Sequence, residues 1–370
     1  MPVNVVVLGA GVIGLSVALR LLEENGGRDF AVTVVARDFP APAETILLDP
    51  RAAINYASPW AGAHNRWVPW VADGSPAAAA AARDHAFALA TYRHMQALSG
   101  AARGNDVRGE AGVTFLPGLE YLEAPLPPEY TQLADAAVRR DQFGFDAPDL
   151  DLQFRVLPPD ALPAGVAWGC AYRTWCVNPM MYCSFLLRRI VAAGGRLVKR
   201  EVKTPLELFA ADAGLQGPFD LVVNCSGTGF NDDNVFITRG QTCLVRNACD
   251  ATVTRQNADG SWSFSVPRFY GGGTIIGGTK EPDNWAVAPS AATRARLLAN
   301  FARTYPAVLA SHGGAFDVVA DIVGRRPTRR GGLRLGRGAE QPNDIRNRIR
   351  HDKTGLLDLV KAQTRIKSAL

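Results

Sequence analysis

Three glycines near the start of the chain have the spacing that is typical of a site for the phosphates of a dinucleotide. The pattern is G-x-G-x-x-G, formed by Gly9, Ala10, Gly11, Val12, Ile13 and Gly14. In such a turn the first glycine allows a tight bend, the second lets a pyrophosphate approach the backbone, and the third lets helix and strand pack closely. Phosphates bind at the N–H groups of a helix start because the helix dipole favours negative charge there.

The segments around these glycines are the elements that this site requires. Val3–Leu8 is a short apolar, β-branched run that predicts a buried parallel strand, and residues 12–22 have the apolar spacing of a helix. A second strand is predicted at residues 31–36 and ends in Arg37 and Asp38. An acid here can hold a ribose hydroxyl, whereas an arginine can read the 2′-phosphate of NADP. The dipeptide alone therefore leaves FAD and a nicotinamide cofactor open.

Composition limits the classes of protein to which the chain can belong. At 370 residues it is long enough for two closely joined domains, and its formal charge is +5. Basic residues are concentrated between positions 325 and 350, which we interpret as a solvated face because no nucleic-acid motif accompanies them. The six cysteines and five histidines lack metal-ligand spacing, and no apolar stretch reaches the roughly 18 residues of a membrane helix. We expect a soluble intracellular protein without metal, nucleic-acid or membrane partners.

Further elements are predicted from hydrophobic periodicity and from turn residues. Helices are expected at residues 76–98, 178–190 and 290–305, and strands at 196–202, 220–225, 241–246, 262–267 and 274–278. We expect residues 107–122 to form two strands around Pro117 and Gly118, and residues 174–202 to form a second β–α–β unit. Residues 316–330 predict a strand that runs into an arginine-rich turn.

Seven motifs, in order along the chain, resemble the D-amino acid oxidase family, which includes D-aspartate oxidases. They are VVVLGAGVIGLS, SPWAGA, TWCVNPMMYCSFLL, DLVVNCSGTG, RGQTCLVRN, TIIGGTKEPDNW and VGRRPTRRGGLRLGR. The resemblance implies non-covalently bound FAD and an α/β fold in which a Rossmann-like flavin domain is interleaved with a mainly antiparallel substrate domain. The predicted limits are 1–80, 165–232 and 320–370 for the FAD-binding domain, and 81–164 and 233–319 for the substrate domain.

The resemblance also implies a reaction and a set of cofactor residues. The α-hydrogen of a D-amino acid leaves as hydride to the flavin, the imino acid hydrolyses to a 2-oxo acid and ammonia, and oxygen reoxidises the flavin to give hydrogen peroxide. The cofactor carries this chemistry, and the protein supplies orientation and electrostatics. The residues implied to hold FAD are Gly9, Gly11, Gly14, Arg37 and Asp38 at the ADP half, Trp60, Ala61, Gly62 and Ala63 at the flavin, and Val202, Ser226 and Gly227 around the adenosine and ribityl portions.

Four residues are implied to face the substrate. Arg326, in G-R-R-P, falls on the family's substrate arginine, whose planar fork suits a carboxylate. Phe264 stands where many members have a tyrosine, so it can pack but cannot donate a hydrogen bond. Lys280, helped by Arg255 on the preceding loop, could pair with a side-chain carboxylate, which would favour D-aspartate or D-glutamate. The competing interpretation is a solvated lysine at a turn.

The C-terminal segment departs from the family pattern. Residues 340–352, EQPNDIRNRIRHD, stand where the family has a second glycine-rich segment, so residues 338–353 predict altered flavin binding or activity. A catalytically impaired flavin-binding homologue is therefore an alternative, as is a glycine- or sarcosine-oxidase-like enzyme. An NADP-dependent dehydrogenase fits the later motifs least.

Localisation and assembly are the last expectations from the sequence. The final residues Ser-Ala-Leu, at positions 368–370, are near the peroxisomal address S-K-L, so a peroxisome is expected, with the cytoplasm as the alternative. The expected partners are a small D-amino acid and molecular oxygen, and a homodimer is one candidate assembly.

Overall fold

Two β-sheets, one parallel and one mainly antiparallel, organise the fold. The computed structural model describes residues 2–41, 54–99, 108–209, 215, 218–227, 230, 232–332, 334 and 336. The smaller sheet contains β1 (Val3–Leu8), β2 (Phe30–Ala36), β6 (Arg196–Lys199) and β7 (Leu221–Asn224). Its order is β6-β2-β1-β7 with parallel pairing throughout, and helix α1 (Val12–Glu23) connects β1 to β2.

The central strand of this sheet shows why the sequence predicts it correctly. Val5, Val6 and Val7 are fully buried, so both faces of β1 are covered. A parallel strand covered on both faces contains a continuous apolar run rather than an alternating one. The predicted strand–glycine turn–helix–strand order is confirmed.

The larger sheet has nine strands and is antiparallel except for one pair. Its strands are β3 (Val113–Leu122), β4 (Arg155–Val156), β5 (Trp168–Val177), β8 (Val235–Val245), β9 (Thr252–Gln256), β10 (Trp262–Pro267), β11 (Thr274–Gly277), β12 (Glu281–Pro282) and β13 (Val318–Arg329). The order is β12-β8-β11-β10-β9-β3-β5-β4, with β13 also paired to β8 and with β3 parallel to β9. The predicted combination of a Rossmann-like sheet with a mainly antiparallel one is confirmed.

The remaining helices cover the sheets. They are α2 (Pro76–Ser99), α3 (Arg108–Ala111), α4 (Pro128–Thr131), α5 (Ala136–Asp141), α6 (Pro179–Ala192) and α7 (Ala291–Thr304). Asn178 caps α6 by accepting a hydrogen bond from the backbone N–H of Met181, and Ser290 caps α7 through Thr293. The cap at Asn178 was expected, because Asn178 directly precedes Pro179 at the predicted helix start. No helix in the described part of the chain is long and apolar enough to cross a membrane.

The second β–α–β unit is a wrong prediction. Strand β5 pairs antiparallel with β3 in the larger sheet, whereas β6 lies beside β2 in the smaller one. Helix α6 therefore connects the two sheets instead of two strands of one sheet. Its buried residues, including Tyr182 and Leu186, belong to a core cluster that also contains Val5 and Trp175 from the two sheets.

Residues 113–122 form one strand, where two were predicted around Pro117 and Gly118. Both residues stay in register with β5, opposite Arg173 and Tyr172. Strand β9 joins the other side of β3 only from Gly118 onward, so no ladder on that side depends on an N–H from Pro117. Proline is tolerated here because the strand is paired on one side only at that position.

The arginine-rich end of residues 316–330, which was predicted to be a turn, is also strand. Strand β13 runs to Arg329, and its residues 320–329 pair one to one with residues 244–235 of the long strand β8. Pro327 is tolerated because β13 pairs with β8 alone. The extended backbone fixes which of the arginines share a face.

The sheet to which each strand belongs can be compared with the predicted domain limits, but it does not establish them. Strand β5 and residues 320–329 of β13 lie within ranges predicted for the FAD-binding domain, yet both strands pair in the larger sheet. The limits at residues 80, 164, 232 and 319 stay a prediction.

Candidate active site

The carboxyl ends of three parallel strands meet at the glycine turn. Gly9 has a φ of +107°, a conformation that suits glycine, and a Cβ at this position would lie 2.5 Å from the backbone oxygen of Cys225 after β7. A Cβ at Gly14 would lie 1.9 Å from the backbone oxygen of Gly9. Both glycines are therefore required by close backbone packing. Open parallel sheets bind ligands at this edge.

The start of α1 has the properties of a phosphate site. Its N-cap is Gly11, which has no side chain to cap the helix. The N–H of Val12 donates to Ser58 Oγ at 3.1 Å, and the carbonyl of Ala10 accepts from the hydroxyl of Tyr56 at 2.7 Å. The turn is thus bound to the segment that contains the predicted flavin residues. Ile13 follows in the first turn of the helix, where N–H groups lack intrahelical partners.

Arg37 and Asp38 directly follow β2, at the carboxyl edge of the parallel sheet. Both side chains are exposed, and Arg37 Nε donates to Asp38 Oδ2 at 2.9 Å. The half-buried Val202 lies in an apolar cluster with Leu8 and Val35 at the same edge. The structure brings these predicted residues together.

Ser226 and Gly227 follow β7 at that edge. Ser226 donates from both its N–H and its hydroxyl to Asn224 Oδ1, at 3.1 and 2.7 Å. Gly227 has a φ of +86°, so the chain turns sharply here. The N–H of Cys225 donates to the carbonyl of Leu8, which holds this turn beside the glycine turn.

The segment with Trp60, Ala61, Gly62 and Ala63 lies against one face of the larger sheet. A Cβ at Gly62 would contact Val266 at 3.3 Å and Phe264 at 3.6 Å, so the backbone itself touches β10. Trp60 packs in a cluster with Val266, Ile275 and Ile322, three residues of that sheet. This segment, residues 58–63, is named the flavin loop below.

Strand register places Arg326 on the same face as the flavin loop. Arg326 pairs with Thr238 on β8, and Ile322, four residues earlier in β13, pairs with Thr242. Because side chains alternate along a strand, Arg326 and Ile322 share a face. Ile322 packs with Trp60, so that face carries the loop. Arg326 is partly buried, and this burial lowers its pKa from the ordinary value while leaving it a cation.

Phe264 lies on the same face of the larger sheet as Ile322 and Arg326. It pairs with Gly277, which pairs with Thr242 in turn, and a Cβ at Gly277 would lie 2.0 Å from the Phe264 ring. The ring therefore lies over Gly277 and next to Gly62. Between Ile322 and Arg326, Gly324 pairs with Gly240, and a Cβ at Gly324 would meet no atom within 4 Å. The surface of the sheet is therefore open at Gly324, two residues before Arg326.

Lys280 lies on a loop that two buried arginines hold. Arg239 donates to the carbonyls of Ala286 and Ala288 and pairs with Glu281 at 2.8 Å. Arg325 donates to the carbonyl of Trp285 and lies over its ring. Lys280 itself is exposed.

Arg255 lies apart from the other substrate residues. It is on β9 rather than on the preceding loop, and it pairs with Ser263, one position before Phe264. Alternation therefore places it on the opposite face from Phe264. Its guanidinium binds Glu123 at 2.5 Å and the carbonyl of Ala164 at 2.9 Å. The structure does not bring Arg255 together with Arg326.

Three buried polar groups near the flavin loop were not found by sequence reasoning. His64 Nδ1 lies 2.5 Å from Thr252 Oγ1, and burial, followed by nearby Arg66, lowers its pKa to about 3. Arg66 forms a buried ion pair with Glu120. Arg268, discussed below, binds the loop itself. A single sequence does not predict that a polar side chain beside an apolar strand will be buried.

The comparisons with known proteins identify the family of the chain. The model of the DAO family, described as FAD dependent oxidoreductase, matches residues 4–349. The chain belongs to this family of FAD-dependent oxidoreductases, and the predictions of family and cofactor are confirmed.

Similarity within the family is to oxidases of the D-amino-acid and D-aspartate type. The chain is 42% identical over 342 residues to the D-aspartate oxidase of Talaromyces thermophilus, an alignment that covers 90% of this chain and 86% of that protein. It is 27% identical over 345 residues to the D-amino-acid oxidase of Schizosaccharomyces pombe, with the same coverage.

Solved structures with a similar fold include other flavoproteins. Glycine oxidase from Geobacillus kaustophilus superposes with a TM-score of 0.62 at 19% identity, covering 97% of this chain and 92% of that one. FAD-bound L-alpha-glycerophosphate oxidase from Mycoplasma pneumoniae gives 0.58 at 11% identity, covering 100% and 95%. At these identities the likeness concerns the fold alone. Within the described residues, no cluster of His, Cys, Asp and Glu could hold a metal ion.

Proposed function

We propose that this protein catalyses the FAD-dependent oxidative deamination of D-amino acids and that it prefers acidic substrates such as D-aspartate. The products would be a 2-oxo acid, ammonia and hydrogen peroxide. When bound, FAD supplies the hydride acceptor and the reaction with oxygen. The protein's own residues would bind the substrate, orient its α-carbon and exclude water.

The observation that carries the proposal is the position of Arg326 on the flavin-loop face. A partly buried guanidinium binds a carboxylate more strongly than an exposed one, because less water competes for its donors. Gly324 leaves space beside it, since a Cβ there would meet no atom within 4 Å, and Phe264 forms an apolar wall. An α-carboxylate bound to Arg326 would place the α-carbon of the substrate over the sheet near Gly324. Because Phe264 has no hydroxyl, Arg326 would carry more of the carboxylate binding than in relatives with a tyrosine.

Preference for an acidic side chain rests on Lys280. Lys280 is exposed and directly precedes β12, in which Pro282 pairs with Thr238, the same residue of β8 that pairs with Arg326. Two cations brought to the same part of the sheet would suit a substrate with two carboxylates. The 42% identity to a D-aspartate oxidase supports the same preference. Arg255 would contribute structurally, through Glu123, since its guanidinium is bound on the opposite face.

The experiment is anaerobic reduction of the purified protein reconstituted with FAD. We expect D-aspartate to bleach the visible flavin absorption faster than D-alanine, and L-aspartate to leave it unchanged. Including glycine and sarcosine in the same panel tests the glycine- and sarcosine-oxidase-like alternative. Bleaching by glycine or sarcosine, but by no D-amino acid, would refute the proposal.

A second candidate is a flavin-binding homologue with impaired catalysis. It rests on the sequence of residues 340–352, which has no glycine where the family has a glycine-rich segment. This segment lies outside the described residues, although the family match extends to residue 349. Bound flavin that no amino acid in the panel reduces would favour this candidate over the oxidase.

We also propose a peroxisomal location, with the cytoplasm as the alternative, and a homodimer as one candidate assembly. Production of hydrogen peroxide suits a compartment that destroys it. The supporting tripeptide at positions 368–370 lies outside the described residues. Fluorescence microscopy of the chain tagged at its N-terminus, with and without these three residues, tests the location, and light scattering tests the assembly.

A further inference from the structure

We infer that Arg268 is the positioning residue of the flavin loop and that it sets the affinity for FAD without touching the cofactor. Arg268 follows β10, and its side chain is only 2% exposed. Its Nη2 donates to the carbonyl of Pro59 at 3.3 Å and to the carbonyl of Ala61 at 2.8 Å. This inference rests on the binding of FAD by the loop, which is part of the proposed function.

The surroundings of Arg268 indicate that burying its guanidinium lowers the stability of the folded protein. The adjacent cluster is apolar and includes Trp60, Val266 and Phe269. Burial alone lowers the pKa of Arg268 to about 10, and among the described residues no carboxylate is paired with it. Its Nε has no hydrogen-bond partner there. A buried cation held only by carbonyl groups destabilises a protein compared with an apolar residue of similar volume. Folding alone would therefore favour such an apolar residue here.

The hydrogen bonds of Arg268 act on the part of the loop that faces the cofactor. The Ala61 carbonyl and the Gly62 N–H belong to one planar trans peptide, in which the two groups point in opposite directions. With the carbonyl directed to Arg268, the Gly62 N–H is directed to the opposite side. The Pro59 carbonyl, which accepts the longer bond, belongs to the Pro59–Trp60 peptide, and the N–H of that peptide donates to the carbonyl of Ala57. Arg268 thus fixes the direction in which the loop presents its backbone.

Both ends of the loop are held independently of Arg268. At one end Ser58 Oγ accepts from Val12 at the start of α1, and at the other Ala63 accepts from the N–H of Val177. Arg268 binds the stretch between these anchors. Its removal should therefore leave the loop attached while freeing the orientation of the peptides around Ala61.

The test compares Arg268→Met with Arg239→Met in the apo-protein titrated with FAD. Arg239 is a matched control because it is also a buried arginine, 4% exposed, that donates to two backbone carbonyls, but those of Ala286 and Ala288. We expect Arg268→Met to raise the Kd for FAD about tenfold to a hundredfold, the value of one or two hydrogen bonds from a charged donor. Arg239→Met should leave the Kd within about twofold, because its loop holds Lys280 rather than the flavin loop.

Two further readouts separate positioning from a purely structural role. The thermal midpoint of Arg268→Met apo-protein should equal or exceed that of the wild type, since a buried cation is removed. The visible circular dichroism of bound flavin should change, because the peptides around it are reoriented. Arg268→Lys keeps a cation and should give an intermediate Kd, and it decides the question if Arg268→Met does not fold.

A Kd for Arg268→Met less than about fivefold above the wild-type value would overturn the inference, as would equal weakening by Arg239→Met. If the wild-type protein itself fails to bind FAD, the proposed function fails instead. The two failures are therefore distinguishable.

Discussion

Replacing Gly14 by alanine tests whether the glycine turn and the cofactor site are the same structure. In an ordinary helix this substitution stabilises the protein by about 1 kcal/mol, because glycine is the poorer helix former. Here the added Cβ would lie 1.9 Å from the carbonyl oxygen of Gly9. An ordinary contact of about 3.4 Å requires α1 and the turn to separate by about 1.5 Å.

The magnitude of this effect decides which assay to use. Overpacking of this kind costs about 1–3 kcal/mol, so the net loss of stability is about 0–2 kcal/mol after the helix-propensity gain. With about 2.1 cal/mol/K of unfolding entropy per residue, that loss lowers Tm by at most about 3 °C in a chain of 370 residues. A shift of 1.5 Å at the start of α1, by contrast, exceeds the tolerance of a hydrogen bond to phosphate. Losing one such bond weakens FAD binding about tenfold to a hundredfold.

The assay is fluorescence titration of the apo-protein with FAD, accompanied by thermal denaturation. Gly109→Ala is the matched control, because Gly109 is also helical and a Cβ there would meet no atom within 4 Å. We expect Gly109→Ala to bind FAD as the wild type does. A Gly14→Ala protein with wild-type FAD affinity would refute the assignment of the turn to the cofactor.

Three further substitutions test the substrate residues and a buried histidine. Arg326→Leu should raise KM for D-aspartate about a hundredfold or more while FAD affinity is retained, because a two-bond charged contact is lost; an unchanged KM would contradict the carboxylate role. Lys280→Met should lower the ratio of kcat/KM for D-aspartate to that for D-alanine about two- to fivefold, a modest effect because Lys280 is exposed. An equal effect on both substrates would remove its role in specificity. Burial lowers the pKa of His64 in the folded protein to about 3, whereas its pKa in the unfolded chain is about 6.5. Between these two values the unfolded chain binds a proton at His64 and the folded protein does not, so acid stabilises the unfolded chain. Wild-type stability should thus fall between pH 6 and pH 4 about 1.4 kcal/mol per pH unit more steeply than that of His64→Gln, measured by urea denaturation. Parallel slopes would show that His64 does not stay neutral in the fold.

Local patterns in the sequence were sufficient to predict the elements whose structure depends on neighbouring residues alone. The run Val3–Leu8 and the glycines at 9, 11 and 14 predicted strand, turn and helix, because backbone packing there leaves few alternatives. The cap at Asn178 was predictable for the same reason, since a short polar side chain before a proline satisfies the first turn of a helix. The cofactor followed from several motifs in order rather than from the Arg37–Asp38 dipeptide.

The sequence by itself therefore determined the family and the cofactor, and it predicted the residues that would hold the phosphates. Tertiary structure alone decided that β5 and β6 belong to different sheets, that Arg255 faces away from Phe264, and that Arg326 faces the flavin loop. Each of these depends on strand pairing between residues far apart in the chain, and shifting the register by one residue would reverse the faces. Arg268 is the clearest example, because only the folded chain brings its guanidinium to carbonyls about 200 residues away.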